Sequence, residues 1–252
     1  MRIIILGEPT GDLAAGLAAR LSAAGIDVRG APRTVDDVDD WAPAAGRADA
    51  GIECAVVDGA VKARHVALLD RLLPPGAPLI TCCHAASATL TASSVDGAAR
   101  VVGFAWLPPW EGRATVELAR AVQTSDTAAA AAEAVWRAAG LEPVWVGDSA
   151  GLVLPRIVAC LANEAAFAVQ DQTAGAEDVD RAMMLGTRYP RGPLAWADLI
   201  GLDHVLATLD ALAAEHGEDR YRAAPLLRRL AAAGSRLRPD LDPAAAAGAS
   251  RL

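Results

Sequence analysis

Residues Arg2-Ile3-Ile4-Ile5-Leu6 form an unbroken β-branched and apolar run, the composition of a strand covered on both faces. Such a strand needs helices above and below its sheet. From Gly11 to Ala24 apolar residues recur at helical spacing, so the chain opens strand, turn, helix. Gly25 stops that helix, and Ile26-Asp27-Val28-Arg29 reads as a short second strand ended by Gly30. Cys54-Ala55-Val56-Val57 reads as a third strand, followed by a helix from Ala60 to Leu73 that Pro74-Pro75 closes. Pro78 to Thr81 and Val101 to Phe104 are the fourth and fifth strands, and Thr115 to Leu118 is a further candidate. A helix from Ala128 to Ala139 and a strand from Glu142 to Val146 complete the series. Alternation at this spacing implies βαβ units and a parallel sheet.

Beyond Asp148 the strand-like runs stop, and helical periods cover Pro155 to Gln172, Glu177 to Leu185, Leu194 to Gly201, His204 to His216 and Ala224 to Ala233. The fold expected is therefore α/β then all-α, with residues 1–148 as a parallel-sheet domain and 149–237 as a helical domain. Gly147-Asp148-Ser149-Ala150-Gly151 supplies the turn between them, and residues 238–252, rich in alanine and proline, read as a frayed tail.

With 252 residues, 53% of them hydrophobic, the chain has ample material for a core. Its net charge of −8 argues against nucleic acid or an anionic membrane as the main partner. The first apolar run is too short for a signal peptide or a membrane span, which places the chain in the cytoplasm. Cys54, Cys82, Cys83 and Cys160 lack metal-site spacing and read as reduced, buried thiols, so no metal centre is expected.

The first strand-turn-helix carries Gly7-Glu8-Pro9-Thr10-Gly11-Asp12. A dinucleotide fingerprint needs glycines there so that backbone can approach the pyrophosphate, and an acid about 20 residues later for the ribose. Here Pro9 has no amide hydrogen to offer, Asp12 repels phosphate, and the second strand ends at Arg29-Gly30 without an acid.

In the helical part, Gly151-Leu152-Val153-Leu154-Pro155-Arg156, Asn163-Glu164, Glu177-Asp178-Val179-Asp180, Met184-Leu185-Gly186, Tyr189-Pro190-Arg191-Gly192-Pro193-Leu194 and Gly201-Leu202-Asp203 follow in fixed order, continuing through Tyr221 to Arg228. Together they resemble the C-terminal domain of the 3-hydroxyacyl-CoA dehydrogenases. Physically most of these residues are structural: Glu177 and Asp178 suit a helix's first turn, Gly186 suits an αL helix end, and Asn163 and Glu164 either face a cleft or anchor a loop. The short amino-terminal domain resembles the reduced Rossmann half of the long bacterial members associated with phenylacetate-type aromatic catabolism.

The resemblance implies NAD over Gly7 and Gly11, a 3-hydroxyacyl-CoA in the cleft between domains, and a homodimer formed through the helical domain, with Trp196, Leu199, Ile200 and Leu202 either at that interface or in the core. It places Glu117 where the family has the glutamate that orients its catalytic histidine, but the histidine's own position is Ala105. The family's Asn-Pro pair falls at Pro108-Pro109, and the asparagine that polarises the substrate carbonyl falls at Pro155. Ser87 matches the serine that contacts the 3-hydroxyl, and nearby His84 is a candidate displaced base. Two readings follow: a dehydrogenase whose activity is weak or lost, with Glu117 and Ser87 as its remaining catalytic residues, or a non-catalytic scaffold that binds a CoA ester or a partner dehydrogenase. A 3-hydroxyisobutyrate-like or phosphogluconate-like enzyme would want a catalytic lysine, and Lys62 stands in the wrong place for one.

Overall fold

In the computed structural model the described residues are 1–8, 12–30, 38–109 and 112–241, the side chains of 38–41 excepted. Strands β1 (Arg2–Leu6), β2 (Asp27–Arg29), β3 (Ala50–Glu53), β4 (Leu79–Cys82), β5 (Val101–Ala105), β6 (Thr115–Arg120) and β7 (Glu142–Val146) form one sheet in the order β2-β1-β3-β4-β5-β6-β7. All neighbours are parallel except β5 and β6, which run antiparallel.

The unbroken apolar run of β1 is used on both faces. Ile3 and Ile5 pack with α1 (Leu13–Ala23) and α5 (Asp126–Ala138), while Ile4 and Leu6 pack with α3 (Gly59–Leu72) and α4 (Ala88–Ala92). A short α2 (Val38–Ala45) precedes β3. The helical domain follows as α6 (Leu154–Gln170), α7 (Ala176–Thr187), α8 (Pro193–Ile200), α9 (Leu202–His216) and α10 (Pro225–Ala232). Its core is small side chains of α6 (Ala159, Ala162, Ala166) against Leu194 of α8, Val205 and Leu209 of α9 and Leu227 of α10. No described helix is long and apolar enough to cross a membrane.

Four sequence expectations need correction. The third strand is Ala50–Glu53, and Cys54 to Val57 form the turn after it. Gly51 and Glu53 do not look like buried strand residues, yet Gly51 is where Leu69 of α3 and Leu73 just after it press on the sheet, a Cβ there falling 2.6 Å from Leu73 Cδ1, and Glu53 is neutralised by Lys62. The sheet is not wholly parallel, because β5 and β6 are joined by a connection too short for a crossover helix. The αL residue closing α7 is Arg188 (φ 57°), with Gly186 still inside the helix. Finally, order extends past 237: Arg238 is buried, ion-paired with Asp180 at 2.8 Å and Asp240 at 2.7 Å. The remainder of the expected tail, 242–252, lies outside the described residues.

Candidate active site at the domain junction

In an open parallel sheet, ligands bind beyond the carboxyl ends of the strands at the point where successive connections leave on opposite sides. Here that point lies between β1, which feeds α1 on one face, and β3, which feeds α3 on the other. Glu8, two residues past β1, fills it. Its carboxylate accepts hydrogen bonds from the amides of Val56 (3.0 Å), Val57 (3.1 and 3.2 Å) and Asp58 (3.2 Å) in the turn after β3. His204 Nε2, from α9, lies 3.2 Å from Oε1 on the other side. Burial works against this carboxylate, but His204, close by without hydrogen-bond geometry, and the bonds from the three amides outweigh it and hold Glu8 below its ordinary range. Glu8 is 4% exposed, so a negative charge is held in the crevice between β1 and β3.

Gly7 is buried at the end of β1, whereas Gly11 lies outside the described residues. Asp12 precedes α1 and makes no capping hydrogen bond from its side chain.

The β5–β6 register places Ala105 directly opposite Glu117. Glu117 is half-buried and turned toward the helical domain, where Oε2 accepts from Val153 N (3.0 Å) and Oε1 from Leu154 N (2.9 Å), at the start of α6. These are amides that a helix leaves without internal partners. Burial raises the Glu117 carboxyl, and the two amides and Arg113 only partly offset it. The neighbouring Ala105 is 2% exposed and offers no proton acceptor. Pro155 sits in the first turn of α6, where its missing N–H costs nothing.

Ser87 caps α4, its hydroxyl accepting from Leu90 N at 3.1 Å. Asp148 from the domain junction adds bonds from Ala88 N (2.7 Å) and Thr89 N (2.8 Å). Helix α4 comes this close to β5 because residue 103 is glycine: a Cβ there falls 2.6 Å from Cys83 Sγ and 2.9 Å from Ala88 Cβ. The junction is stitched further by Gly151 N to Cys83 O (2.6 Å) and Ala150 N to Glu215 (2.9 Å).

A cavity of about 200 Å³ remains between the amino end of α1, the ends of β4 and β5, and the α8–α9 elbow, lined by Asp12, His84, Trp106, Pro108, Ile200 and His204 among others. His84 bonds the Trp106 backbone, which leaves Nε2 buried with no hydrogen-bond partner among the described residues. Burial first, then His204 and Lys62, push its pKa down to about 3. It is therefore a neutral imidazole near Glu8 and His204. Trp196 reaches across from α8 to donate to Pro108 O at 2.9 Å, with the Arg113 guanidinium 5.6 Å from its ring centre. Trp196, Leu199 and Ile200 are half-buried, the latter two lining the cavity, and Leu202 belongs to the helical core. Asn163 anchors a loop, bonding Arg222 O (3.0 Å) and Ala224 N (2.7 Å), whereas Glu164 is exposed.

Sequence reasoning missed a buried network at the ends of β3 and β4. Lys62 donates to Glu53, to Thr81 Oγ1 (2.9 Å) and to Cys82 O (2.8 Å), while Glu53 also accepts from Thr81 Oγ1 (2.9 Å) and Ala55 N. Burial disfavours the ammonium, but Glu53 more than compensates and raises its pKa. A lone lysine nine residues after a glutamate was the available signal. Cys54, Cys82 and Cys83 are free and buried; burial raises all three thiols, Cys82 to about 12, so none is a thiolate nucleophile. No group of three metal-ligating side chains occurs among the described residues.

Comparison with known proteins agrees with the geometry. Residues 10–149 match the family domain described as "3-hydroxyacyl-CoA dehydrogenase, NAD binding domain", and residues 151–240 the corresponding C-terminal domain. A probable 3-hydroxybutyryl-CoA dehydrogenase of Bacillus subtilis is 34% identical over 190 residues, 75% of this chain and 66% of the relative. The 3-hydroxyadipyl-CoA dehydrogenase of Escherichia coli is 38% identical over 116 residues, 46% of this chain and 24% of that one. The crystal structure of (S)-3-hydroxybutyryl-CoA dehydrogenase from Ralstonia eutropha superposes with TM-score 0.76 at 28% identity, covering 92% of this chain and 94% of the other. The chain spans just under two thirds of the length of the first curated relatives it matches. With both family domains matched in order on a sheet and helical bundle of this topology, the chain belongs to the 3-hydroxyacyl-CoA dehydrogenase family.

Proposed function

We propose that this chain is a family member in which NAD-dependent oxidation of a 3-hydroxyacyl-CoA is weak or lost. The observation that carries the proposal is the pairing of Ala105 with Glu117, in which the orienting carboxylate is kept but spends both oxygens on α6 amides. Hydride leaves C3 of a hydroxyacyl chain only as the hydroxyl proton is taken, and an alanine side chain takes no proton. Loss of a general base costs about 10²–10⁴-fold in rate. Ser87 does not replace it, since its hydroxyl caps α4.

The amino-terminal domain is of the NAD-binding type, but its residues here do not fit the cofactor well. Glu8 holds the crevice with a buried negative charge, and Pro9 and Asp12 remove an amide and add another charge. These features weigh against the cofactor and so favour a non-catalytic relative, which we read as one that binds a CoA ester or a partner dehydrogenase as a dimer. For the dimer surface, the apolar residues left exposed on the helical domain favour Ile157 of α6 with Met184 and Leu185 of α7, the last 73% exposed.

The test is steady-state reduction of acetoacetyl-CoA by NADH with purified, folded protein. A rate at least about 10²-fold below that of an active relative assayed alongside is expected, and a rate equal to that relative's refutes the proposal.

A further inference from the structure

The turn after β3 has an unusual hydrogen-bond account. Six amides of residues 55–61 point at three carboxylates of the protein: Ala55 at Glu53, Val56, Val57 and Asp58 at Glu8, and Ala60 and Val61 at Asp58. Of these acceptors only Glu8 comes from a distant segment, 48 to 50 residues away. Successive backbone N–H groups converging in a turn make an anion-binding concavity. Here it is completed by a side chain of the other domain, His204.

We propose that the Val56–Asp58 amides together with His204 form an anion-binding site for a carboxylate-like group, and that Glu8 occupies it in cis, closing the crevice and latching the helical domain onto the sheet. The geometry is that of a bound ligand. Both carboxylate oxygens accept hydrogen bonds, Oε1 from Val56 and Val57 and Oε2 from Val57 and Asp58, and His204 Nε2 stands 3.2 Å from Oε1 without hydrogen-bond geometry; the carboxylate is almost fully enclosed. A second cavity of about 620 Å³, lined by Val56, Val57, Lys62, Ala86, Ala207 and Asp210 among others, opens beside the same turn. An anion arriving from solvent therefore has a path to the amides once the tethered carboxylate is gone. The proposal stands independently of turnover.

The experiment compares the full chain with Glu8→Ala and Glu8→Gln by thermal unfolding in chloride, formate, acetate and phosphate at equal ionic strength. Glu8→Ala is expected to melt roughly 5–10 °C lower in chloride, and tens of millimolar formate or acetate to restore at least half of that loss. The unaltered chain and Glu8→Gln, whose sites are still filled, gain nothing from the same anions. Restoration by phosphate as well extends the site to tetrahedral anions; restoration by formate and acetate alone assigns it to planar carboxylates. If Glu8→Ala does not fold in chloride, folding in formate measured by circular dichroism is the same positive result. No gain from any anion, or an equal gain by the unaltered chain, overturns the proposal.

Discussion

Replacing Lys62 with methionine is expected to lower unfolding stability by about 3–5 kcal/mol, because it leaves a buried carboxylate without its counter-charge. Glu53 is fully buried on β3 between two hydrophobic layers, and Lys62 is the cation beside it. Thr81 and the Ala55 amide each satisfy one lone pair of Glu53, but neither brings charge. The loss is conditional on the partner. In Lys62→Met combined with Glu53→Gln no charge remains to be buried, and most of the stability is expected to return, since well-packed neutral replacements of buried ion pairs are often close to neutral. Urea unfolding of the two single variants and the double measures this coupling. A Lys62→Met cost below about 1 kcal/mol would show that solvent reaches Glu53 and that the pair is a surface pair in energetic terms.

The second large effect is a fall of stability with acid that begins well above the carboxylate range. His84 and His65 are both buried and neutral, with pKa values pushed down to about 3 and about 4. For His65 the cause is burial, then Arg64 and Lys62; both its ring nitrogens lack hydrogen-bond partners among the described residues. The unfolded chain takes up these protons near pH 6.5 and the folded one does not. The folded-state values are depressed, so the stability they contribute is fully present above pH 6.5 and is lost as pH falls toward the folded values. Between about pH 6 and pH 4.5 the slope approaches two protons, or about 2.7 kcal/mol per pH unit. Below that the lowered pKa of Glu8 adds to the loss in the same direction. Denaturant midpoints across this range give the slope, and His65→Gln is expected to reduce it by one proton. A flat profile down to pH 4.5 would mean that both imidazoles reach water in the folded state.

Much of the fold was legible in the sequence because its elements announce themselves locally. The run at 2–6, the period of 13–23 and the proline pair after α3 each encode one element, and the βα alternation encodes the layers. The third strand was not legible, because its two informative residues act at a distance. Gly51 is there for α3's leucines, and Glu53 is a strand residue only in the presence of Lys62. Val56 and Val57 look like a strand by composition, but their amides belong to Glu8.

The site divided in the same way. The resemblance put Ala105 and Glu117 at the family's histidine and glutamate positions, and the β5–β6 register sets the two residues opposite each other. Where Glu117 and Ser87 spend their hydrogen bonds did not follow, since both cap helices whose starts depend on the domain junction. Nothing local to Glu8, between glycine and proline, marks its partners. Only the folded chain brings it to the amides after β3 and to His204, 196 residues further on in sequence numbering.

If the chain's own carboxylate closes the family's cofactor crevice, calorimetric titration of the purified chain with NADH shows it most directly. No saturable heat is expected at cofactor concentrations up to the millimolar range. A single-site isotherm with a micromolar Kd would contradict it.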